Sequence, residues 1–131
     1  MQKYSKKSEE YTYLDKYVGR NIKNEEFEEK LSNFFLNEKY FRDSLIKKFI
    51  NELERLLNVM KIQNDFIFYG SSLLLIYEGS IINLDEIKIS VKFIDFANVF
   101  DNRKENLKDD SGFIFGISNL IQCLKNIREY K

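Results

Sequence analysis

The stretch Phe68–Phe96, FYGSSLLLIYEGSIINLDEIKISVKFIDF, decides the fold. Ser72–Tyr77 and Ile87–Phe96 are apolar runs on either side of a short polar connection, which predicts two paired strands. In the second run Ile87, Ile89, Val91 and Phe93 alternate with Lys88, Ser90 and Lys92, the pattern of a half-buried strand. Leu73–Tyr77 is almost continuously apolar, which predicts a strand covered on both faces. The second run closes on Ile94-Asp95-Phe96, a carboxylate where a buried strand opens into a loop. A dry, unpaired carboxylate is costly. Asp95 is therefore expected at the mouth of a cleft, facing water, a base or a metal.

Upstream, two helices are expected. Asn24-Glu25-Glu26 starts the first, with Asn24 as N-cap and both glutamates in the first turn. Phe27, Leu31, Phe34 and Phe35 follow at helical spacing, and the helix is expected to end near Asn37. The second runs from about Phe41 to Gln63. Its apolar face carries Leu45, Ile46, Phe49, Ile50, Leu53, Leu56, Leu57 and Met60. Tyr11–Val18 reads as a strand or extended lead-in, Gly19-Arg20-Asn21 as a turn, and Phe66–Tyr69 as a short strand. Downstream, Ser80–Glu86 is the strand connection, Asn98–Ser111 a charged loop, and Phe113–Arg128 a closing helix buried through Ile114, Ile117, Leu120, Ile121, Leu124 and Ile127. The fold class is α+β: a small antiparallel sheet packed with helices. Residues 1–10 read as a disordered tail and 11–131 as one unit.

Composition narrows the function. The chain has 131 residues, 44% of them apolar and 32% charged, which is a globular balance with room for one core. Net charge is zero, which argues against binding nucleic acid through bulk electrostatics. There is no histidine, so no His-based triad or His metal site is available. The single Cys123 cannot close an internal disulfide, and no apolar run approaches the roughly 18 residues of a membrane span. The N-terminus lacks the apolar core of a signal peptide. These features predict a soluble intracellular protein, cytoplasmic or nuclear, with no membrane partner.

Three constellations could carry chemistry. Asp95 is the first, although an Asp at that place also serves simply to cap a turn. Ser71 and Ser72, beside Gly70, offer hydroxyls to a phosphate or metal-bound water, or else satisfy backbone groups of an ordinary turn. Asp109-Asp110-Ser111-Gly112 precedes a helix, where carboxylates usually act as N-caps.

In order, these pieces resemble the C-terminal part of the inositol polyphosphate kinase family, in its inositol hexakisphosphate kinase and multikinase branch. Ser71-Ser72-Leu73-Leu74 is similar to the family's SSLL, Ile94-Asp95-Phe96-Ala97 to its IDFA, and Asp110-Ser111-Gly112 to its DxG. Phe113, Phe115, Gly116, Asn119 and Leu120 continue that last match. Asp15-Lys16-Tyr17 with Gly19-Arg20 resembles the DKYxGR segment. The resemblance runs from about Tyr13 to Ile127. It implies a kinase-like fold related to ATP-grasp and protein kinases, with Asp95 as the Mg²⁺ ligand under the ATP phosphates and Ser71 and Ser72 lining the same cleft. It places Asp110 at the loop-to-helix junction, without a catalytic role.

Departures from the family pattern bear on activity. The signature PxxxDxKxG, which supplies the acid–base aspartate and a substrate-contacting lysine, needs a proline, and the chain has none. Tyr11, Asp15 and Gly19 fall at the right spacings, but Tyr17 stands where Lys belongs. Asn98 stands where the family often has a basic residue. The N-terminal lobe is expected to be absent, and the catalytic acid–base residue is unknown. Lys16, Arg20, Lys39, Lys47 and Lys48 are the candidates to meet an anionic inositol phosphate. The expected function is ATP- and Mg²⁺-dependent phosphoryl transfer to an inositol phosphate by a truncated or divergent member of the family. The alternative is a non-catalytic C-terminal lobe acting as a protein-interaction module, with a protein partner supplying or covering what is missing.

Overall fold

A computed structural model of the chain describes residues 1–5, 8–37, 40–41, 43–79, 86–105 and 111–129. The predicted strand pair is present. β6 (Ser72–Tyr77) and β7 (Ile89–Ile94) run antiparallel, from Ser72 opposite Ile94 to Tyr77 opposite Ile89. The connection at 80–85 lies outside the described residues.

The chain opens with β1 (Gln2–Ser5) and β2 (Glu10–Tyr13), which pair in antiparallel register. The described part of the N-terminus is thus ordered into a strand, where sequence reading expected a frayed tail. Long-range bonds hold it. Lys3 Nζ donates to the carbonyls of Asn33, at 3.0 Å, and Leu36, at the end of the following long helix. Next comes α1 (Lys16–Arg20), a short exposed helix that replaces the end of the expected extended lead-in and the start of the expected turn. The Asp15 carboxylate creates it by accepting from Tyr17 N at 2.8 Å and Val18 N at 2.9 Å. Four residues on, the Asn21 side chain returns a bond to Tyr17 O.

α2 (Asn24–Phe35) starts one residue earlier than expected, so Lys23 and not Asn24 holds the N-cap position. It gives way to β3 (Leu36–Asn37), which pairs with β4 (Tyr40–Phe41). α3 (Asp43–Ile62) buries Leu45, Ile46, Phe49, Ile50, Leu53 and Met60 of the stripe read from the sequence, with Leu56 and Leu57 half-buried. β5 (Phe66–Phe68) pairs with β8 (Val99–Asp101), and α4 (Asn102–Glu105) follows. Part of the segment expected to be a charged loop is therefore a strand. Ile67, opposite Phe100, is almost fully buried there. α5 (Ser111–Glu129) closes the chain.

The core lies between the inner face of the β6–β7 hairpin and helices α2, α3 and α5. Leu73, Leu75, Tyr77, Ile89 and Val91 point into it. Tyr77 of β6 ties three elements together: its hydroxyl donates to Phe34 O of α2 at 2.5 Å, its ring stacks on Phe35 at 6.1 Å, and it meets the Phe49 ring of α3 edge-on at 6.4 Å. β6 is not covered on both faces, contrary to its continuous apolar reading. Burial alternates along it, and Leu74 and Ile76 remain 43% and 47% exposed. Among the described residues the helices occupy only one side of the hairpin.

Candidate active site

The open end of the hairpin brings the predicted residues together. Its last rung is Ser72 opposite Ile94. Just beyond it, each strand departs through a left-handed residue: Gly70, at φ +66°, and Asp95, at φ +65°. Glycine reaches this region freely, whereas Asp reaches it at a cost that its short polar side chain only partly relieves. Such strain persists where surrounding structure enforces it.

That structure is visible. Ser71 Oγ donates to the main-chain oxygen of Asp95 at 2.9 Å. Tyr69 N donates to Asn98 O at 3.0 Å, and the Asn98 side chain lies 4.0 Å from where a Cβ on Gly70 would stand. Beneath them is an aromatic cluster. Phe93 contacts Phe68 at 4.9 Å, Phe96 at 5.0 Å and Phe113 at 4.3 Å between ring centroids. The cluster joins β5, the end of β7 and the start of α5, so Asp95 sits between two anchored phenylalanines. Asp95 itself is exposed and lines neither cavity described below. The period-two spacing of Phe93 and the motif position of Phe113 were visible in the sequence; their convergence on Phe68 was not.

Beside Ser71 lies a cavity of about 260 Å³, lined by Phe68, Gly70, Ser71, Leu73, Gly112, Phe113, Gly116 and Ile117. The larger cavity, of about 510 Å³, flanks β7 against α3 and shares no residue with this end. The smaller one is the candidate site because Ser71 links it directly to Asp95. Gly112 and Gly116 of α5 face open space there, with nothing within 4 Å of a Cβ built on either.

Ser71 and Ser72 do not act alike. Ser71 lines the cavity, whereas Ser72 is exposed on the outer face of the sheet and absent from the lining, as strand alternation requires. Asp109, Asp110 and Lys39 lie outside the described residues. Lys16 and Arg20 are on the exposed helix α1, with Lys16 Nζ 5.2 Å from the centroid of the Tyr17 ring. Lys47 is exposed on α3, and Lys48 donates to Ile87 O at 3.2 Å. None of these four lines the cavity at Ser71. Among the described residues no three of His, Cys, Asp and Glu cluster to hold a metal by themselves. No described helix is long and apolar enough to cross a membrane.

The fold is α+β: an antiparallel hairpin, with Asp95 just past its open end, backed by helices. A solved structure from "Structural Studies and Protein Engineering of Inositol Phosphate Multikinase" superposes with a TM-score of 0.82 over 96% of this chain and 59% of that one, at 21% identity. The sequence profile described as "Inositol polyphosphate kinase" matches residues 1–125. The chain belongs to the inositol polyphosphate kinase family. Inositol hexakisphosphate kinase 3 of Mus musculus is 32% identical over 98% of this chain and 37% of its own length. The Homo sapiens protein of that name is 30% identical over 98% of this chain and 38% of its length. Inositol hexakisphosphate kinase 2 of Homo sapiens is 27% identical over the same shares. The chain therefore spans under two fifths of the length of these relatives.

Proposed function

We propose that this chain forms the metal- and phosphate-facing part of a kinase site that transfers the γ-phosphate of ATP to an inositol phosphate. The observation that carries this reading is the pairing of Ser71 with a left-handed, exposed Asp95 at the open end of the hairpin. Family membership supports the substrate class.

Asp95 is the residue that would hold Mg²⁺. A lone exposed carboxylate fits this ion, which keeps several waters and takes one or two carboxylates together with substrate phosphates. When bound, Mg²⁺ supplies positive charge that neutralises the phosphates and orients them. The chain's own residues do the rest of the local work. The aromatic cluster fixes the segment bearing Asp95, Ser71 holds its backbone, and the small residues of α5 leave room for a ligand beside it. The acid–base residue and the remaining nucleotide contacts would come from polypeptide outside these 131 residues, in the same protein or a partner. The proposed use of ATP fits a location inside the cell, in cytoplasm or nucleus.

A second reading rests on a separate observation. Leu74, Ile76, Ile94 and Phe96 leave an apolar surface on and beside the outer face of the hairpin, each at least 39% exposed. Contiguous exposed apolar residues mark interaction surfaces, so the chain would be a non-catalytic interaction module. Calorimetric titration with Mg²⁺–ATP separates the two. Binding by the wild type and its loss in Asp95→Asn support the kinase site. Absence of binding by the folded chain, together with a stable oligomer, supports the module.

A further inference from the structure

We propose that Ser71 is a positioning residue: by donating to the Asp95 main-chain carbonyl, its hydroxyl holds Asp95 in the left-handed conformation that presents the carboxylate at the cleft. The inference deepens the kinase reading and rests on it for the identity of the ligand.

A non-glycine residue in the left-handed region is disfavoured by roughly five- to thirtyfold, with Asp toward the low end. One protein hydrogen bond favours the state that makes it by roughly two- to tenfold. The two effects are of similar size, so a single bond can decide which backbone conformation Asp95 populates. No other hydrogen bond to the Asp95 carbonyl is seen among the described residues, and Ser71 reaches it at 2.9 Å.

The donor is itself held in place. Gly70, at φ +66°, turns the chain so that Ser71 meets the end of β7, and the Tyr69 N–H to Asn98 O bond locks the two segments side by side. On the far side of Asp95, the pairing of Phe68 with Val99 fixes the segment again. Asp95 thus lies between two anchored points, the Ser72–Ile94 rung and the β5–β8 pair, with one side-chain bond between them. Ser71 is committed to a protein acceptor, which separates its role from that of a hydroxyl offered to ligand.

The test uses the full chain, labelled with ¹⁵N and ¹³C, as wild type, Ser71→Ala and Ser71→Thr. The first readout needs no ligand: the Asp95 amide, Cα and HN–Hα coupling report its φ. The second is affinity for Mg²⁺–ATP by calorimetry. In Ser71→Ala the left-handed signature of Asp95 should weaken, while resonances of Leu75, Val91 and Leu124 stay in place, and affinity should fall by roughly two- to tenfold. Ser71→Thr, which keeps the hydroxyl, should restore both. An unchanged Asp95 signature in Ser71→Ala overturns the proposal, whatever happens to affinity. If the wild type does not bind Mg²⁺–ATP, the kinase reading fails, and the ligand-free spectra still decide whether Ser71 sets Asp95.

Discussion

At Asp95, charge and backbone conformation can be separated by substitution. Asn tolerates the left-handed region about as well as Asp, so Asp95→Asn should change stability by no more than about 0.5 kcal/mol. It should nevertheless weaken Mg²⁺–ATP binding by at least roughly tenfold, because a neutral amide replaces the anionic ligand. Retained affinity in this folded variant would remove Asp95 from the metal role. Gly70 occupies the same region without strain, at φ +66° with space around it. Gly70→Ala should therefore cost about 1–2 kcal/mol through the backbone alone, read as a lower melting temperature. Ser32 works the other way. It is buried in α2, and its hydroxyl has no partner among the described residues. Ser32→Ala removes an unsatisfied polar atom and improves helix propensity, so it should stabilise the fold by about 0.5–1 kcal/mol.

Among the elements, α3 and α5 form the principal helix pair, and two ion pairs fasten it. Arg128 Nε donates to Asp43 Oδ1 at 2.6 Å, and Lys125 Nζ to Glu54 Oε1 at 2.8 Å. The hydrogen bond from Arg128, reinforced by its charge, holds the Asp43 carboxyl below the usual carboxylate value of 3.8. Because the folded-state pKa is the lower one, the pair stabilises the fold above the unfolded value and loses that contribution as pH falls through the folded one. Asp43→Asn should therefore lower the melting temperature by a constant small amount between pH 5 and 8, corresponding to roughly 0–1 kcal/mol for so exposed a pair. The difference should vanish at pH values well below 3.8. A gap that persists in acid would mean that the side chain acts by packing and not by charge.

Across the whole molecule, one core joins all the long elements. Phe35, Phe49, Leu53, Ile117 and Leu124 are all almost fully buried in it. Phe49 touches the rings of both Phe35 and Tyr77. Phe49→Ala should cost about 3–5 kcal/mol, a large part of the stability of a domain this size. The hairpin, α3 and α5 should then melt together at a lower denaturant midpoint, as followed by circular dichroism. The outer face of the hairpin is a different matter. Leu74 there can be exchanged for Thr with little effect on stability, within about 0.5 kcal/mol. If that exchange dissolves an oligomer instead, the interaction-module reading gains.

Several features were legible in the residues alone. The period-two run from Ile87 to Phe93 and the helical stripe from Leu45 to Met60 specify their elements, because local periodicity fixes which side chains share a face. The SSLL, IDFA and DKYxGR segments carried the family, and the strand-end place of Asp95 carried its exposure. Other features arose only from tertiary structure. Val99–Asp101 became a strand because Phe66–Phe68, far away in the chain, pairs with it. The N-terminal residues were ordered by pairing with β2 and by Lys3 reaching the end of α2. β6 kept one face bare because helices pack on one side of the hairpin only, which no composition of that strand reveals. The bond from Ser71 to Asp95 spans 24 positions. Sequence named both residues, but only the closing of the hairpin could decide that one holds the other.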